Sequence, residues 1–104
     1  MRSRKPWFTL PTMDCKISVR GEIDMANSPD LLAEFQRAIA ESDADIVVDC
    51  AQLTFIDATG IRACVNTRRA LEAQGRDFCL VNVRPGPRRA FEILGLTELL
   101  TAAA

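Results

Sequence analysis

The stretch Thr54-Phe55-Ile56-Asp57-Ala58-Thr59-Gly60-Ile61-Arg62 decides the fold of this chain. Its apolar first half is typical of a buried strand, and a helical pattern of apolar residues begins at Ile61. Between them, Asp57-Ala58-Thr59-Gly60 predicts a tight turn that opens a helix. Backbone N–H groups at a helix start point outward and favour negative charge. Thr59 is therefore either a phosphate acceptor or an ordinary residue of a helix start.

The rest of the chain alternates between strand-like and helix-like patterns. Apolar residues at every second position predict a half-buried strand from Cys15, in which Gly21 marks a bulge or a close approach. Ser28 followed by Pro29 predicts a capped helix start. The predicted order begins with a short strand at 7–10, a strand at 15–24, a helix from Ser28 to about Glu41–Asp43 and a strand at 46–48 closed by Asp49-Cys50. The apolar residues Leu53, Phe55 and Ile56 then lead to the turn, and a helix from Ile61 to Gly75, a strand at 78–81 and a helix from Gly86 to Gly95 follow.

Alternating strands and helices predict an α/β fold with right-handed crossovers. We therefore expect one α/β domain over residues 7–100, with a mixed sheet of four to five strands, βα repeats and three helices. Residues 1–6 are expected to form a disordered basic tail, and residues 101–104 a frayed C-terminus. The apolar content of 48% and charged content of 26% over 104 residues are typical of a soluble globular domain.

The charge and residue inventory excludes several classes of function. A net charge of −1 gives no general attraction to nucleic acid or membranes, and no apolar run is long enough for a membrane span. The basic start is followed by no apolar stretch, so we expect no signal peptide and a cytoplasmic protein. The chain has no histidine and no tyrosine, so the usual imidazole base and His-ligated metal sites are absent. We expect no enzymatic activity, no cofactor and no metal.

The cysteines are too widely spaced for a zinc site or a C-x-x-C redox motif. Each lies in an apolar pattern, which favours buried free thiols in a reducing compartment, with a regulatory disulfide as the alternative. The four cysteines are Cys15, Cys50, Cys64 and Cys79.

Two further segments carry candidate binding residues. Asp24 follows a strand, so it is expected at the same sheet edge as Asp57, although a solvated charge pair is an equally simple interpretation. Arg84–Arg89 suggests an anion site at a helix start, or a proline-stiffened loop with a solvated basic face, and it lacks the P-loop pattern. The arginines of the helix after Gly60 have no aromatic residues among them, so we expect no nucleic-acid partner.

Four ordered blocks of this sequence resemble the STAS domain of bacterial anti-sigma factor antagonists. The resemblance covers about residues 15–100. The blocks are Gly21-Glu22-Ile23-Asp24, Phe55-Ile56-Asp57-Ala58-Thr59-Gly60-Ile61, Val81-Asn82-Val83-Arg84-Pro85 and Phe91-Glu92-Ile93-Leu94-Gly95-Leu96.

The resemblance implies a partner-switching role. In that family the unmodified protein binds an anti-sigma factor that is also a serine kinase, which frees the sigma factor. The kinase phosphorylates a serine or threonine just before the motif glycine, which is Thr59 here, and a separate phosphatase reverses the step. No nucleic acid, membrane insertion or cofactor is implied, and the protein would be a monomer or weak dimer. The implied partner-binding residues are Asp24, Asp57, Ala58, Gly60, Ile61 and Arg62.

This sequence departs from the family pattern at two positions of the motif. Ala58 stands where a serine is common, and threonine replaces serine at the acceptor Thr59. Three alternatives therefore stay open beside the phosphorylation switch. They are a STAS subunit that regulates a membrane transporter ATPase, an antagonist that binds constitutively or is controlled through its thiols, and a small nucleotide-binding protein that uses Arg84–Arg89.

Overall fold

The computed structural model describes residues 15–100 of the chain. The predicted strand at 7–10, the basic tail at 1–6 and the C-terminal residues 101–104 lie outside the described residues. The elements are β1 (Cys15–Ile23), α1 (Ser28–Glu41), β2 (Ile46–Ile56), α2 (Ala58–Glu72), β3 (Phe78–Val81), α3 (Pro85–Ile93) and a short 3₁₀ helix (Thr97–Leu99).

The three strands form one sheet in the order β1-β2-β3, and both pairs are parallel. Each parallel connection needs a crossover, which α1 and α2 supply. The predicted α/β class, the βα repeats and the three helices are thereby confirmed. Within residues 15–100 the sheet has three strands, all parallel, whereas four to five strands in a mixed sheet were predicted.

Strand β2 is a single eleven-residue strand, and the prediction that it closes at Asp49-Cys50 was wrong. The pairing with β1 continues past that point because β2 accommodates extra residues at two register shifts, between Ser18 and Arg20 and between Gly21 and Glu22. Gly21 has a φ of 76°, which other residues seldom adopt, so the predicted irregularity at this glycine is confirmed.

The buried side of the sheet packs against the apolar stripes of α1 and α2. Phe35 of α1 is fully buried and meets the Phe78 ring of β3 edge to face at 5.4 Å. Helix α3 lies beside the later half of β2, where β3 no longer pairs with it, and the Arg84 guanidinium donates to the Ala51 carbonyl at 3.3 Å. The later half of β2 thus pairs with β1 on one edge and has α3 as a neighbour beyond the end of β3.

The predicted C-terminal ends of the helices agree with the structure better than the predicted N-terminal starts do. Gly75 and Gly95 have φ values of 72° and 70° and end α2 and α3 as predicted. Helix α1 begins at Ser28, so Asn27 rather than the predicted Ser28 stands at the cap position, and α2 begins at Ala58, three residues before the predicted Ile61. The Asn27 side chain makes no hydrogen bond to the helix N–H groups and bonds instead to the turn before the helix.

No helix within residues 15–100 is long and apolar enough to cross a membrane. Among the same residues, no cluster of three or more histidine, cysteine, aspartate or glutamate side chains could hold a metal ion.

Candidate functional site

The C-terminal ends of β1 and β2 bring Asp24 and Asp57 to one edge of the sheet. Ile23 and Ile56 are paired in the ladder, and the Asp57 N–H donates to the Ile23 carbonyl at 3.0 Å. Because the two strands are parallel and in register at their ends, the residues that follow them must emerge side by side. The structure thus brings together the two acidic residues that the sequence suggested.

Asp57 caps the N-terminus of α2. Its carboxylate accepts from the Thr59 N–H at 2.9 Å, from the Gly60 N–H at 3.2 Å and from the Thr59 hydroxyl at 2.5 Å. These donors, the Thr59 hydroxyl first among them, hold the pKa of Asp57 below its usual range despite the opposing effect of burial. The carboxylate is therefore ionised at neutral pH and lies next to the hydroxyl of Thr59.

Thr59 is half-buried in the first turn of α2, and its hydroxyl bonds to the capping carboxylate of Asp57. The two interpretations of Thr59 that the sequence left open are compatible. As a hydroxyl donor to Asp57 it helps to order the helix start, and at the same place it lies where the helix N-terminus favours an anion.

Gly60 and Ile61 lie beneath this surface. Both are buried, and a β-carbon at Gly60 would come within 2.7 Å of the Ile23 and Ile56 side chains. Real contacts of that length do not occur, so only glycine lets α2 start this close to the ends of β1 and β2. The glycine of the motif thus has an internal packing role in addition to any effect on a partner.

We expect Gly60→Ala to lower the free energy of unfolding by about 1–2 kcal/mol, because the overpacking exceeds the gain in helix propensity. The matched control is Gly86→Ala, since a β-carbon there would meet only the Thr54 carbonyl at 3.8 Å. That variant should be as stable as the parent or slightly more so. Equal stability of the two variants in urea titrations would mean that Gly60 has no packing role.

The turn between β1 and α1 is fixed by its own polar residues. Asp24 accepts from the Ala26 N–H at 2.9 Å, and Asn27 accepts from the Asp24 N–H and donates to the Glu22 carbonyl, each at 2.8 Å. This turn presents Met25 with 72% of its surface exposed, beside Asp57. An exposed apolar side chain held on a rigid turn is a suitable contact for a partner.

Sequence reasoning missed Met25 as a site residue. The signal for it was its position, because it falls after the strand alternation ends and before the helix start, and must therefore lie in the turn.

A groove of about 250 Å³ separates the start of α1 from the start of α2. Thr59 and Arg62 lie one helical turn apart on its α2 wall, and Leu32 of α1 is on the opposite wall. Arg62 and Ala58 are exposed, so both are available on this surface. The residues lining the groove are Ser28, Pro29, Leu32, Thr59, Arg62, Ala63 and Asn66.

The remaining candidate residues are the cysteines and the Arg84–Arg89 segment, and their surroundings indicate structural roles. All four cysteines are free, and burial raises the pKa of Cys50 and of Cys64 to about 12, so neither forms a thiolate at neutral pH. The Arg84–Arg89 segment begins α3, where Pro87 is buried and Arg84 bonds to β2.

The sequence of this chain matches a known protein family. A family model described as the STAS domain matches residues 9–103. The anti-sigma-B factor antagonist of Bacillus subtilis (strain 168) is 30% identical over 91 residues, which cover 88% of this chain and 83% of that protein.

Two solved structures of SpoIIAA, the phosphorylated one from Bacillus, have the same fold. The anti-sigma factor antagonist SpoIIAA in its unphosphorylated form matches with a TM-score of 0.78 and 25% identity, over 92% of this chain and 84% of that chain. The phosphorylated form of SpoIIAA matches with a TM-score of 0.69 and 26% identity, over 88% of this chain and 83% of that chain.

Proposed function

This chain belongs to the STAS domain family, and from that premise we propose that it is an anti-sigma factor antagonist. Unmodified, it would bind an anti-sigma factor in the cytoplasm and so release the sigma factor. The similarity to an anti-sigma-B factor antagonist and to SpoIIAA supports this role. The observation that carries the proposal is the Thr59 hydroxyl, which lies at the start of α2 beside the Asp24–Asn27 turn and donates to Asp57.

The proposed control is phosphorylation of Thr59 by the anti-sigma factor acting as an ATP-dependent kinase. The Thr59 oxygen would form a bond to the γ-phosphorus of ATP while the bond from that phosphorus to the β-phosphate oxygen breaks. ADP leaves, and the hydroxyl proton is released. A serine/threonine phosphatase would reverse the step by hydrolysis. This chain supplies only the accepting oxygen, so it needs no base or metal of its own.

The charges around Thr59 explain why this modification would act as a switch. A phosphothreonine carries about −1.5 to −2 charges at neutral pH, and the hydrogen bond that the Thr59 hydroxyl now donates to Asp57 would be lost. The ionised Asp57 would then face a second anion, and a partner arranged around a neutral hydroxyl would meet strong repulsion. A change at one oxygen would thereby control a binding equilibrium.

The burial of Cys50 and Cys64 argues against control through these thiols, because an oxidant reacts with exposed thiolates. A STAS subunit that regulates a membrane transporter ATPase would have the same fold. The identity of the bound partner therefore distinguishes that alternative from an anti-sigma factor antagonist.

Affinity capture of the native partner, with the chain as bait, tests the proposed function. We expect an anti-sigma factor with an ATP-binding kinase domain in the captured fraction, and its loss when the bait is Asp57→Lys. Capture of a transporter ATPase without any anti-sigma factor would replace this proposal with the transporter-associated role.

A further inference from the structure

Thr59 lines the groove that also contains Arg62, and Asp57 is not among the residues that line this groove. Thr59 and Arg62 are three residues apart on α2, a spacing that puts two side chains next to each other on one face of a helix. Both line the same groove. Within residues 15–100, the Arg62 guanidinium makes no hydrogen bond or ion pair. An exposed cation without a partner therefore stands one turn from the proposed acceptor.

Phosphorylation changes which orientation of the Thr59 side-chain oxygen is favourable. At present the hydroxyl donates to the Asp57 carboxylate at 2.5 Å, a contact that requires the proton. A phosphate ester has no proton to donate there, and its dianion is repelled by the ionised carboxylate. A threonine side chain in a helix has two accessible rotamers, so the oxygen can turn away from Asp57. The groove then offers the phosphate both open space and the Arg62 guanidinium.

We propose that Arg62 is the phosphate-binding residue of the modified protein, pairing with phosphorylated Thr59 along the α2 wall of the groove between α1 and α2. This inference rests on the proposed function, because it presumes that Thr59 is phosphorylated. A guanidinium matches the geometry of phosphate oxygens and stays charged at all physiological pH values.

The pairing has two consequences. It holds the phosphate at a fixed place on the partner-binding surface, and it removes Arg62 as a cation that an acidic residue of the partner could use. The modified protein would therefore lose the attraction between Arg62 and the partner and also repel the partner through the phosphate. Phosphorylation would then lower the affinity for the partner by more than repulsion alone.

The test is a ³¹P NMR titration of protein in which phosphothreonine is installed at position 59 during translation, without a kinase. A nearby cation favours the dianion and lowers the second pKa of the phosphate. We therefore expect Arg62→Gln to raise that pKa by about 0.2 to 0.7 of a pH unit at physiological ionic strength. The matched control is Arg69→Gln, which removes the same charge from the same helix about 15 Å from Thr59, beyond the Debye length at physiological ionic strength.

A rise in Arg62→Gln alone supports the pairing, whereas an unchanged pKa, or an equal rise in both variants, overturns it. Circular dichroism of each variant verifies that the fold is retained. The result is independent of the proposed function, because the phosphothreonine is incorporated during translation and not made by the anti-sigma factor. If the kinase leaves Thr59 unmodified, the proposed function fails while the titration still reports on the Arg62 contact.

Discussion

We expect replacement of Thr59 with glutamate to weaken binding of the captured anti-sigma factor by about tenfold to a hundredfold. The carboxylate puts a permanent negative charge where the hydroxyl now donates to Asp57, next to a carboxylate whose pKa is already lowered. Two anions then meet the partner at a site where the unmodified protein has one. Calorimetric titration of the partner with each variant measures the loss directly.

The matched control for this prediction is Thr59→Gln. It has the same size as glutamate and also removes the hydroxyl donor, so only the charge differs between the two variants. We expect Thr59→Gln to bind within about threefold of the parent, since a rim contact without charge contributes little. If glutamine weakens binding as much as glutamate does, the lost Asp57 contact rather than the charge controls the partner.

The largest effect on stability is expected at Arg76, far from the site. This arginine has 6% of its surface exposed, and its guanidinium donates twice to the Ala44 carbonyl, at 2.7 and 2.9 Å, and once to the Ile39 carbonyl at 3.1 Å. These hydrogen bonds therefore connect the end of α1 and the loop after it to the segment that leads into β3. We expect Arg76→Ala to lower the free energy of unfolding by about 2–4 kcal/mol, because partly buried carbonyls lose charged donors and the volume of a buried side chain is left empty.

Urea titrations of three variants separate the geometry of Arg76 from its charge. Arg76→Lys keeps the charge but not the planar fork, so it should fall between the parent and alanine. Arg69→Ala removes an exposed arginine of α2 and should change stability by less than about 0.5 kcal/mol. A loss in Arg76→Ala no larger than in Arg69→Ala would show that these bonds contribute nothing to folding.

The parts of the fold that local chemistry determines could be predicted from the sequence. Gly75 and Gly95 end their helices because a left-handed residue is needed there, and that need is visible in the sequence alone. The cap by Asp57 is equally local, since the acceptor and its donors lie within three residues. The α/β class follows from the alternation of periods in the same way.

The features that depend on distant residues could not be predicted. The continuation of β2 past Cys50 depends on register shifts against β1, and the need for a glycine at position 60 depends on Ile23 and Ile56. The sequence alone suggests that Arg76 is an ordinary surface charge. Only the folded structure shows that its guanidinium bonds to the carbonyls of Ala44 and Ile39. Each of these contacts joins residues that are far apart in the chain, where no short-range pattern reports them.

The most direct test of the proposed switch is phosphorylation by the captured anti-sigma factor. The parent chain and Thr59→Ala are incubated with that protein and ATP, and the modified residue is located by mass spectrometry of the fragments. We predict one phosphate on the parent, at Thr59, and none on Thr59→Ala. Phosphorylation that persists in Thr59→Ala, or a parent chain that stays unmodified while it binds the kinase, would contradict the account.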